Sequence, residues 1–138
     1  MPHSDADTTT EVSQPGSGVA VAAEVLYLAN LLLVPGLAFL VLVWLYFRER
    51  RDAPPLARCH LAQTITASIW AGMMLVVANA LIILFGGYDS PNTWVIVIVY
   101  FTTAHATMVL LGTLGLARAM AGKHYHYPIV GLPCAETG

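Results

Sequence analysis

At 138 residues, the chain carries 57% hydrophobic and only 10% charged side chains, with a mean hydropathy of +0.69. A soluble domain carries about 25% charged residues, so water is not the solvent for most of this surface, and ordinary soluble enzymes are excluded. The net charge of -2 marks no polyanionic partner, and with its few basic residues explained by position the chain has no support for nucleic-acid binding.

The chain opens on a polar, acidic segment with Asp5, Asp7, Glu11 and a run of Thr. It lacks apolar periodicity and the basic start of a cleaved signal peptide. Residues 1–20 are therefore assigned to a disordered acidic tail. Residues 21–130 form the membrane domain, and residues 131–138 a short C-terminal tail.

Three apolar stretches follow, at residues 22–47, 61–85 and 93–117. Each reaches the ~20 residues that a helix needs to cross ~30 Å of hydrocarbon. The expected fold is an all-α membrane protein of three transmembrane helices. Pro35-Gly36 lies near the centre of the first stretch and predicts a kink, because proline removes a helical hydrogen bond. Trp44 and Tyr46 suit the inner interface.

The basic residues set the orientation. Arg48, Arg50, Arg51 and Arg58 follow the first stretch, and Arg118 and Lys123 follow the third. Cytoplasmic loops collect Lys and Arg. The expectation is an outside N-terminus, a cytoplasmic arginine loop, an outside turn at residues 86–92 and a cytoplasmic C-terminus. The membrane expected is the bacterial inner membrane. Cys59 and Cys134 then face the reducing cytoplasm, so no structural disulfide is expected.

Polar groups inside hydrocarbon are costly, so their positions carry information. In the second stretch, His60, Thr64, Ser68, Ala71, Leu75 and Asn79 form one stripe at steps of three or four. In the third, Ala104, Met108, Gly112, Gly115 and Ala119 do the same, with His105 beside them. Small residues let helix backbones approach closely, which predicts a tight bundle, a docking face for another membrane protein, or both. His105 reads as a neutral, hydrogen-bonded histidine. A bis-histidine haem needs a second histidine at its depth, and His60 is about 18 Å away by helix rise.

Cys59, His60, His124, His126 and Cys134 gather on the inner side. Thiolate and imidazole are usual zinc or copper ligands, yet this spacing matches no closed zinc pattern. No metal is expected, and no cofactor beyond lipid; these residues are where a metal would be sought, and His105 where haem would be. No P-loop, carboxylate pair or nucleophile triad is present, so no enzyme activity is expected.

Two segments carry a resemblance. One is Arg58-Cys59-His60-Leu61-Ala62-Gln63, with His-x-x-Gln opening the second stretch after a Pro-containing basic loop. The other is Gly122-x-x-Tyr125-x-Tyr127-Pro128 after the last stretch. Together they resemble small bacterial membrane proteins of three to four helices and unknown function, distantly related to the chloroplast inner-envelope protein-import channel component. The resemblance covers about residues 22–130. It implies fold and topology and transfers no activity. His60 and Gln63 lie one turn apart, at the level to which Tyr125 and Tyr127 return, so these groups are expected to meet.

The leading functional reading is a non-catalytic accessory or assembly subunit of a larger membrane complex, with other integral membrane proteins and lipids as partners. The alternatives are an oligomeric channel or translocation component, by analogy with the import-channel relatives, and a haem- or quinone-associated redox subunit.

Overall fold

The computed structural model describes residues 13–134, so most of the expected acidic tail lies outside the described residues. Four helices carry the fold: α1 (Ser17–Leu32), α2 (Leu37–Glu49), α3 (Pro55–Leu84) and α4 (Pro91–Met120). A single 3-10 turn, Gly87–Asp89, joins α3 to α4. Pro55 and Pro91 open their helices at the first turn, where a missing N–H costs nothing and a fixed φ suits the helix.

At 30 residues each, α3 and α4 extend about 45 Å and are long and apolar enough to cross a membrane. Only 11% of each apolar window is buried within the protein. A helix in the core of a soluble protein would be mostly covered; these two present their apolar sides outward.

The first apolar stretch departs from expectation. Residues 22–47 do not make one kinked span; they make the helical hairpin α1–α2. Gly36 takes φ 84°, a left-handed conformation that glycine adopts without strain. Asn30 Oδ1 accepts the Gly36 N–H at 2.9 Å, and Ala29 O accepts the N–H of both Leu33 and Val34. These bonds end α1 and turn the chain back. Leu42 of α2 packs on Ala23 of α1, bordered by Val19, Leu26, Leu45 and Tyr46. At 16 and 13 residues, the two helices extend about 24 and 20 Å, each short of the ~30 Å core.

The orientation of the N-terminal segment changes with it. Gly16 abuts Pro54 and Ala57, and Gly122 abuts Gln14. Residues 13–16, the arginine loop and the segment after α4 therefore share one end, and the start of α1 is not opposite the arginines. A proline-glycine pair in an apolar run reads equally as a kink or a reversal. The Asn30 side chain decides between them here.

α1 is the central helix. It runs parallel to α3 and antiparallel to α4, with Ala20 packed on Leu56 and Ala119 and Tyr27 on Ala67 and Met108. Gly112 and Gly115 allow the approach of α4. A Cβ on Gly115 would stand 2.5 Å from Glu24 Oε2, and one on Gly112 2.6 Å from the Tyr27 ring.

Gly122, at φ 64°, stops α4. Its N–H bonds Ala119 O, and the Lys123 N–H bonds Arg118 O at 2.9 Å, which satisfies the last carbonyls of the helix. The chain then folds back, and Tyr127 and Val130 enter the core beside Tyr27 and Ala67.

Candidate functional site

The returning tail closes a polar cluster inside the arginine end. Glu24, His60, Gln63 and Thr64 are all fully buried there. His60 Nδ1 lies 2.6 Å from Glu24 Oε1, and His60 Nε2 lies 3.0 Å from Lys123 O. The Tyr127 hydroxyl donates to Glu24 Oε2 at 2.5 Å. Thr64 donates back to His60 O at 2.8 Å, a bond within α3. Glu24 and its two partners come from three different elements: α1, α3 and the tail.

The proton count of this cluster follows from its donors and acceptors. Lys123 O can only accept, so His60 Nε2 carries a proton. One further proton lies between His60 Nδ1 and Glu24 Oε1. Wherever it sits along that bond, the pair is neutral as a unit, which is how a buried acid and base are tolerated. Burial first, and then the Glu24 carboxylate, holds the Tyr127 phenol protonated far above its ordinary value of 10.0. Tyr127 therefore stays a donor to Glu24 at any physiological pH.

Gln63 binds the tail directly. Its Oε1 accepts the Tyr127 N–H at 3.3 Å, and its Nε2 donates to Leu132 O and lies 3.4 Å from Cys134 Sγ. The tail bends tightly around it: Gly131 N–H bonds Tyr127 O at 2.9 Å, and a Cβ on Gly131 would collide with Gln63 Oε1. Exposed Ile129 takes φ 74° at the centre of this bend. The structure thus brings His60, Gln63, Tyr125 and Tyr127 together, with Pro128 exposed beside them.

The bend also overturns the expectation of free thiols. Cys59 and Cys134 are bonded, with Cα atoms 5.4 Å apart, inside the usual disulfide range. The expectation rested on a reducing cytoplasm, and the two cysteines stand 75 residues apart in the chain. Only the return of the tail to the start of α3 makes the pairing. His124 lies at the same place: its ligand atom and the two sulfurs fall within 4.8 Å of one another.

Other residues singled out by the sequence lie elsewhere. Ser68 is buried, and its Oγ has no hydrogen-bond partner among the described residues. It lines a cavity of about 520 Å³ at the hairpin tip, with Asn30, Pro35, Met74, Tyr100 and His105. His105 is exposed there and distant from His60. Asn79 sits at the far end, donating to Leu75 O at 2.7 Å and accepting from the Tyr88 hydroxyl. Arg48 stacks over Trp44 at 5.1 Å and Arg50 over Phe47 at 4.9 Å, which suits interfacial anchors.

A family model described as the magnetosome magnetite crystal formation protein family matches residues 18–133. The chain belongs to this family. With its apolar helices, the membership makes it a membrane protein. No curated protein and no solved structure matches it. The matched segment contains the hairpin, both long helices, the polar cluster and Tyr127. It agrees with the small-membrane-protein part of the sequence resemblance, while the chloroplast import-channel relationship finds no support.

Glu24 is the residue that sequence reasoning passed over. It lies at the start of the apolar stretch 22–47, where an acid resembles a boundary residue. Its signal is that a lone acid within a membrane helix is costly unless paired, and His60 is a base near the start of another helix.

Proposed function

We propose that the chain is a non-catalytic membrane component of magnetite crystal formation, acting as an accessory or assembly subunit. Family membership over residues 18–133 is the observation that carries this reading. The architecture supports the subunit role. One end is closed by its own polar cluster, whereas beyond the hairpin tip α3 and α4 expose Val76, Ile83, Ile96 and Val99. Lipid or another membrane helix is the fitting cover for such a surface. We place the arginine end toward the cytoplasm by the distribution of basic residues, in the magnetosome membrane. The α1–α2 hairpin then enters and leaves from the cytoplasmic side.

His60 has both ring nitrogens engaged, so it offers no free nitrogen to a haem iron. Two measurements test the proposal. Cells lacking the chain should form crystals of altered size or number by electron microscopy, with recovery on re-expression; unchanged crystals would refute the role. Gentle-detergent purification followed by mass spectrometry should recover other membrane proteins in fixed ratio. Recovery of the free monomer alone would refute the subunit part.

A further inference from the structure

Three soft ligand groups converge where the tail meets α3. Cys59 Sγ, Cys134 Sγ and a ring nitrogen of His124 lie within 4.8 Å of one another. The His124 Nδ1 atom is buried and has no hydrogen-bond partner among the described residues, a costly state for a polar atom. Gln63 Nε2 stands 3.4 Å from Cys134 Sγ, as an outer group would to hold a thiolate. A cavity of about 310 Å³, lined by Arg58, Cys59, Gln63, Pro133 and Cys134, opens onto the sulfurs and gives an ion a way in.

We propose that Cys59, His124 and Cys134 form a site for a thiophilic divalent ion of the zinc type, and that the Cys59–Cys134 disulfide is its oxidised, metal-free state. Two thiolates and one imidazole are a soft donor set that suits Zn²⁺ and disfavours Mg²⁺ or Ca²⁺. Three protein ligands leave the fourth tetrahedral position to water or to a further ligand from the cavity. His60 is not a ligand, because its nitrogens are held by Glu24 and Lys123. His126 stands outside the group.

The interconversion balances with a dithiol as reductant. The dithiol gives two electrons and two protons to the disulfide, yielding two cysteine thiols and an oxidised dithiol. The ion then binds both sulfurs and releases two protons. The sulfurs separate to about 3.7 Å across the metal, given Zn–S bonds of about 2.3 Å in a tetrahedron. With the arginine end in the cytoplasm, the reducing compartment favours the thiol form. In either state Cys134 stays tied to the start of α3, so the tail keeps its place over the polar cluster. This inference does not rest on the crystal-formation reading.

Cobalt titration of the full chain in lipid nanodiscs tests it, since Co²⁺ reports thiolate ligation by colour. Reduced protein, freed of reductant without oxygen, should bind one Co²⁺ with a sulfur-to-cobalt charge-transfer band and tetrahedral visible bands, and Zn²⁺ should bleach them. The oxidised wild type should show neither, a comparison that needs no substitution. Cys134→Ser should abolish or strongly reduce the charge-transfer band. His124→Ala should weaken Co²⁺ affinity at least about 10-fold, as loss of even an outer partner does, while His126→Ala leaves it unchanged. Helical circular dichroism checks that each variant folds. No charge-transfer band in the reduced wild type, or an equal band in Cys134→Ser, would overturn the site.

Discussion

The two ends of this molecule are held together by different physics. At the arginine end, the largest fully buried side chains gather: Tyr27, Leu42, His60, Leu61, Gln63, Glu24, Thr64 and Tyr127. α1, α2, α3 and the returning tail all contribute. Beyond the hairpin tip only α3 and α4 remain, and the apolar side chains there are open, with Val76 68% and Ile83 66% exposed. The first end completes itself, with polar side chains fixing which surfaces meet. The second depends on whatever apolar material surrounds it. A membrane protein gains little hydrophobic drive for helix association in lipid, so directional hydrogen bonds and close glycine contacts set the packing where packing is tight.

Removing Glu24 is the strongest way to break that contrast. Glu24→Ala leaves buried His60 without its acid and Tyr127 without its acceptor. Breaking one side of a buried pair costs about 3–5 kcal/mol, and unfolding in nanodiscs should show a loss of that size. Val76→Ala, at the far end, should stay within about 0.5 kcal/mol. Equal losses would mean that the two ends are not held differently.

Tyr127→Phe sharpens the same contrast with a smaller effect. The ring remains, but the hydrogen bond to Glu24 goes, which leaves a buried acceptor short of a partner at about 1–3 kcal/mol. The wild type carries a matching pH signature. Below about 10, folded and unfolded chains both hold the Tyr127 proton, and its contribution is complete. Above that, the unfolded chain releases its proton while the folded chain keeps it, because burial and then Glu24 raise the folded value. Stability should therefore fall as pH rises past about 10, by about 1.4 kcal/mol per pH unit. Tyr127→Phe should lose that part of the slope. An unchanged alkaline profile would show that the phenol is not buried against the acid.

Much of this was legible in the residues, and the gaps have physical causes. Apolar length marks α3 and α4, although Pro55 and Pro91 start both helices ahead of the expected stretches, and Gly122 marks the end of α4. Of the stripe Ala104, Met108, Gly112, Gly115 and Ala119, the last four are the buried face of α4. The hairpin was not legible, because residues 22–47 have the length and hydropathy of a span and the turn depends on a side-chain bond from Asn30. The Glu24–His60–Tyr127 cluster joins positions up to 103 apart, and the disulfide joins positions 75 apart. Spacing rules see neighbours on one helix; they do not see a tail that returns.

The glycines of the two long helices offer the mildest test of the contrast. Gly115→Ala would set a methyl 2.5 Å from Glu24 Oε2. The carboxylate cannot retreat without lengthening its bonds to His60 and Tyr127, so α4 must move away from α1. Overpacking of this kind costs about 1–3 kcal/mol. Gly72, in α3 beside the cavity, has nothing within 4 Å of such a methyl and a helical backbone that alanine accepts. Gly72→Ala should be neutral or stabilising, by up to about 1 kcal/mol, because it restrains the unfolded chain. Opposite signs at two glycines on the long helices would tie close packing to the polar cluster and not to the helices as such. A loss at Gly72 as large as at Gly115 would mean that something occupies the space beside α3, and the far end would then count as packed.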